Sequence, residues 1–94
     1  MATRLPAEVA DDLTRLVRRW HQLPLDQALS VSAPVRALIE RYADLVHPGI
    51  PVPELGPAAL PDQLTVLAYD ALAASRITAA DVVGDLGELR RALP

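Results

Sequence analysis

Leu60-Pro61-Asp62-Gln63-Leu64-Thr65-Val66-Leu67-Ala68-Tyr69-Asp70-Ala71-Leu72-Ala73-Ala74-Ser75 is the stretch that decides the fold. Leu60, Leu64, Leu67, Ala68, Ala71 and Leu72 recur with the period of an α-helix and share one face. Val66, Tyr69 and Ala73 make a second apolar face. Only Asp62, Gln63, Thr65 and Asp70 are polar before Ser75. A helix apolar nearly all round reads as a buried one. The spacing therefore predicts a helix over residues 61–75 at the centre of an all-α fold.

Working outward, residues 78–93 read as the following helix. Thr78 with Asp81 resembles a capping box with Asp in place of Glu. Val82, Val83, Leu86, Leu89 and Leu93 face inward. Asp81, Asp85 and Glu88 come early and Arg90 and Arg91 late, as the helix dipole favours. Upstream, residues 25–46 carry a stripe of Val31, Val35, Leu38, Ile39, Tyr42, Leu45 and Val46. Ser30 or Ser32 is placed to cap it, with Pro34 in the first turn. Residues 25–29 are either a separate turn of helix or the same helix kinked at Pro34. Residues 6–22 carry Leu5, Val9, Leu13, Leu16, Val17 and Trp20 on one stripe, with Pro6 at the first helical position and Glu8 in the first turn. Asp11, Arg15 and Arg18 fall opposite.

Ile50-Pro51-Val52-Pro53 alternates, but two prolines exclude a central strand. The expectation is one all-α domain over residues 1–94. It is a compact bundle of four helices, or five if residues 25–29 stand apart, with a proline-rich connection at 47–61 between the second and third main helices.

Composition sets the outer limits. Leu and Ala supply sixteen residues each, and 51% of the 94 residues are hydrophobic. A chain of this length buries only about 64% of its extended surface, so some apolar surface must stay outside or be covered by a partner. The absence of Cys removes disulfides, thiolate chemistry and cysteine metal sites. No run approaches the roughly 20 apolar residues of a membrane-spanning helix. The N-terminus, with Arg4, Pro6 and Glu8, lacks the apolar core of a secretory leader. A net charge of −3 argues against a nucleic-acid protein. A helix-turn-helix reading of the last two helices is disfavoured on the same ground, since Asp81, Asp85 and Glu88 occupy the would-be recognition helix. Ala, Arg, Pro, Gly and Leu have GC-rich codons, whereas the missing Lys, Asn and Phe have AT-rich ones. The sequence thus reads as a cytoplasmic protein of a high-GC bacterium.

Four features are candidates for function. The connection at 47–61 holds five of the nine prolines. It reads as a stiff, extended strap in which Ile50, Val52 and Leu55 either fill the core or offer an apolar edge to a partner protein. Ala80, Gly84 and Gly87 form a small-residue stripe. It would admit either a neighbouring helix, with Ala68 and Ala71 as counterpart, or a second subunit. Trp20, Tyr42, Tyr69 and Asp70 could line a ligand pocket, with Asp70 either at an exposed edge, paired with Arg36 or Arg41, or perturbed inside the pocket. Arg15, Arg18 and Arg19 form one basic patch and Arg90 and Arg91 another. Asp11, Asp12 and Glu88 lie within a turn of them.

Catalytic chemistry finds little support. His21 and His47 lack ligand spacing and suit helix C-termini. Ser30, Ser32 and Ser75 sit at helix boundaries, and no nucleophile elbow, phosphate loop or dinucleotide fingerprint occurs. No cofactor or metal is implied. The sequence points to a small non-catalytic helical protein working through protein contacts, as a homodimer or as an accessory subunit of a larger assembly. The alternative is a small-molecule-binding bundle, and behind it a DNA-binding regulator.

Overall fold

A computed structural model describes residues 5–94. The N-terminal stretch on which the leader reading partly rests, residues 1–4, lies outside them. Five α-helices and no strand occur among the described residues: α1 (Ala7–His21), α2 (Leu25–Ser30), α3 (Ser32–Val46), α4 (Leu60–Ala73) and α5 (Ala79–Ala92). A short 3-10 turn, Pro57–Ala59, leads into α4. The all-α bundle expected from the sequence is the fold observed.

Helix ends follow local chemistry. Pro6 is the N-cap of α1, one residue before the helix, because its ψ of 143° is extended. The α2–α3 break answers the open question at Pro34. Proline has no N–H to give to the carbonyl four residues back, and its ring crowds that carbonyl. That residue is Ser30, where α2 ends. Neither nearby serine caps α3. The Ser30 hydroxyl donates to the Gln27 carbonyl at 2.8 Å and the Ser32 hydroxyl to the Ala28 carbonyl at 2.7 Å, so both satisfy α2 instead. Thr78 does cap α5, its hydroxyl oxygen accepting from the Asp81 N–H at 3.1 Å. The α4 C-terminus closes through Ser75 in a left-handed conformation, φ 56°. The Arg76 N–H bonds the Ala71 carbonyl and the Ser75 N–H the Leu72 carbonyl, which is the Schellman pattern.

The core takes Val9, Leu13, Leu16 and Trp20 from α1, Val35, Leu38, Ile39 and Tyr42 from α3, Leu60, Leu64 and Ala68 from α4, and Val82, Leu86 and Leu89 from α5. α3 packs chiefly on α4, and α1 chiefly on α5. Two expectations need correction. α4 is buried on one face only, since Val66 is 58% exposed and Tyr69 36%. Leu45, placed in the α3 stripe, lies outside, because residues 35, 38, 39 and 42 already define the inward line.

The long connection has a geometric reason. Ile50 and Val52 lie beside Glu40 and Ala43, whereas Glu54 reaches Arg36, so the chain runs back along α3 toward its start. α4 then runs beside α3 in the same direction. Parallel neighbours need a return as long as the helix itself. α3 spans about 22 Å, and six residues of extended chain cover about 19 Å. Gly49 and Gly56 end this return, with φ of 81° and 87°, values that residues with a side chain rarely adopt.

Candidate functional site

The return strap, residues 50–55, has no neighbouring strand, and Pro51 and Pro53 offer no N–H. Side chains hold it instead. Gln63 Nε2 donates to the Pro53 carbonyl at 3.0 Å, Arg36 pairs with Glu54 at 2.7 Å, and Trp20 Nε1 donates to the Pro57 carbonyl at 3.1 Å. Of the three apolar strap residues, only Val52 packs against the core. Ile50 is 65% exposed and Leu55 62%. The strap therefore both seals the bundle and presents apolar side chains outward.

Each exposed strap residue stands next to further apolar surface. Ile50, Val52, Ala43, Val66 and Leu67 line an open groove of about 320 Å³ between the strap and α4. Gln63 lies in its wall, and its Oε1 is buried with no hydrogen-bond partner. Since Nε2 is committed to Pro53, that oxygen remains an acceptor only. The rim is acidic. Asp62 borders the groove, and Glu40 and Asp44 flank Ile50 on the α3 side. At the other end, Leu55 joins Leu25, Leu23, Ala28 and Pro57 around a second depression of about 550 Å³, with Trp20 beneath. Leu25 and Leu29, one turn apart on α2, are largely exposed.

The four residues named as pocket candidates are not gathered together. Tyr42 is fully buried and donates its hydroxyl to Asp85 at 2.7 Å. Trp20 is buried, with its N–H committed to Pro57. Tyr69 is on the outer face of α4, and Asp70 is half-buried beside it. Arg36 and Arg41, the partners considered for Asp70, pair with Glu54 and Asp85 instead. Burial, then the hydrogen bond to Asp85, raises the Tyr42 phenol above its ordinary range. The same carboxylate raises Arg41, chiefly through its hydrogen bond.

The small-residue stripe is not covered from within. Ala80 and Gly84 are exposed, and apart from its own stretch of helix no described residue lies within 4 Å of where a Gly84 Cβ would sit. Gly87 is buried, yet its only neighbour at that distance is Arg91 of the same helix. Ala68 and Ala71 are buried elsewhere and are not its counterpart.

The two arginine patches meet through Asp12. Its side chain, 9% exposed, lies 3.5 Å from Arg15 and 3.7 Å from Arg90. Arg19 donates to the main-chain oxygen of Pro94. Both histidines are exposed at helix ends, and no group of three metal-ligating side chains occurs among the described residues. No helix among these residues is long and apolar enough to cross a membrane.

The chain matches no family model, no curated protein and no solved structure. Its surface must speak for itself. Sequence reading missed Gln63, Glu40 and Asp44 as parts of one site. Three elements contribute them, and the parallel return that joins those elements leaves no periodic signal. Leu25 and Leu29 were missed for a different reason. A six-residue helix is too short for periodicity to say which face is buried, although Pro34 already marked where it must end.

Proposed function

We propose that this protein is a small non-catalytic helical module that works through protein contacts, as an accessory subunit of a larger assembly or by self-association, in the cytoplasm of its cell. The observation that carries the reading is the outward turn of Ile50 and Leu55, each adjoined by exposed aliphatic side chains: Val66 beside the first, Leu25 beside the second, with Leu29 exposed one turn further along α2. A chain free to bury these five side chains would gain by doing so. Clustered at the two ends of a stiff strap, they suit contact with another protein. The pocket alternative lacks comparable support, since Tyr42 and Trp20 already have partners within the fold.

The test uses the full chain. Sedimentation velocity over the micromolar range, together with affinity capture from native cells and quantification of co-purifying proteins, should show self-association or one stoichiometric partner. Replacing Leu25, Leu29 and Leu55 by Ser, or Ile50 and Val66 by Ser, should weaken that association while leaving the helical circular dichroism intact. A monomer at every concentration with no stoichiometric partner refutes the reading.

A further inference from the structure

The apolar surface at the Ile50 end lies among unpaired carboxylates, and that charge selects a partner. Asp62 lines the Ile50–Val66 groove, and Glu40 and Asp44 line the adjoining depression on the α3 side of Ile50 and Val52; none of the three has an ion-pair partner among the described residues. The nearby cations are already engaged: Arg36 with Glu54 and Arg41 with Asp85. Building on the protein-contact reading above, we propose that this groove docks a basic amphipathic segment of a different protein. In that segment a bulky aliphatic side chain would enter between Ile50 and Val66. Flanking Arg or Lys groups would meet the neighbouring carboxylates.

A second copy of this chain fits poorly here. In a two-fold pair the same patch faces itself, so Glu40, Asp44 and Asp62 would be pressed against their own kind. The alternative face, the arginines of α1 and α5, has the right charge but no large exposed aliphatic side chain among them. Neither of these two faces combines the exposed aliphatic side chain and the positive charge that the groove requires. Complementary charge would also speed the encounter and make it sensitive to salt.

The probes are two synthetic helical peptides with the same leucine pattern, one flanked by Arg and Lys, the other by Glu and Asp. Each is titrated into the isotopically labelled full chain, with binding sites read from amide and side-chain NMR shifts. The basic peptide should bind at least about tenfold more tightly. It should move the signals of Ile50, Gln63 and Val66, and weaken as salt rises. Glu40→Lys with Asp62→Lys should reverse the preference. Val66→Ser, at an exposed position that does not threaten the fold, should weaken the basic peptide by a similar factor. Equal binding of both peptides in this groove overturns the charge inference while leaving the protein-contact reading standing. Binding elsewhere, no binding, or indifference to Val66→Ser overturns the inference outright. The protein-contact reading falls separately, on the sedimentation and capture result.

Discussion

Tyr42 on α3 donates its hydroxyl hydrogen to Asp85 on α5 at 2.7 Å, and Arg41 reaches the same carboxylate oxygen at 2.7 Å. α3 packs mainly on α4, and α5 mainly on α1, so this triad adds a polar link between the two helix pairs. It also sets a pH dependence that the composition makes easy to isolate. Burial and the Asp85 hydrogen bond both favour the protonated phenol. The folded chain then holds this proton more tightly than the unfolded chain does. Its contribution is fully present below the ordinary tyrosine value of about 10 and is lost as the pH climbs above it. The chain has no Lys and no Cys to blur that limb. Tyr42→Phe should cost about 1–2 kcal/mol near neutrality and flatten the alkaline fall. Urea unfolding at a series of pH values measures both, and a wild-type curve that stays level into strong alkali would contradict the assignment.

Trp20 joins the end of α1 to the strap through its N–H and the Pro57 carbonyl. Trp20→Phe keeps an aromatic ring in the core but removes that donor and leaves a void. The expected loss is about 1–3 kcal/mol. It should come with faster amide exchange at residues 55–60, where the strap turns into α4. Exchange that changes uniformly across the chain would mean that Trp20 serves the core alone.

How far the sequence reaches is visible in α1 and α4. On α1 the inward line of Val9, Leu13, Leu16 and Trp20 follows from spacing, since most of the remaining positions are charged or polar. On α4, apolar residues surround the axis, and spacing cannot say that Leu64 and Ala68 go in while Val66 and Tyr69 go out. Packing against α3 decides that. The strap is ambiguous for another reason. Without a partner strand, nothing in the order Ile50, Val52, Leu55 dictates that only Val52 turns inward. The site between strap and α4 inherits both ambiguities, so its residues are individually legible and its assembly is not.

Ser75 adopts a left-handed conformation that a Cβ makes costly, at a position where helices usually carry Gly. Ser75→Gly should stabilise the chain by about 0.5–1 kcal/mol, the relief at Ser75 outweighing the added freedom of the unfolded state. Thermal unfolding would register it as a rise of a few degrees. Ser75→Val, with a branched side chain, should move the midpoint the other way. A fall with Gly would show that the Ser75 side chain makes a contact worth more than the strain.

Gly84 separates folding from association. It lies inside α5, where Gly costs about 1 kcal/mol relative to Ala, and among the described residues no atom beyond its own stretch of helix approaches its missing Cβ. Gly84→Ala should therefore raise the stability of the isolated chain by about 1 kcal/mol, or about 4–8 °C in midpoint for a domain of this size. Gly87→Ala should gain a similar amount, because its new methyl meets only the end of the flexible Arg91 side chain, at an ordinary contact distance of 3.4 Å. If the stripe of Ala80, Gly84 and Gly87 is where another helix seats, the same Gly84→Ala change that stabilises the monomer should weaken the complex. Measuring the unfolding midpoint and the sedimentation profile on one sample distinguishes the cases. A gain in stability with association unchanged removes the stripe from the contact surface and leaves the two ends of the strap to carry it.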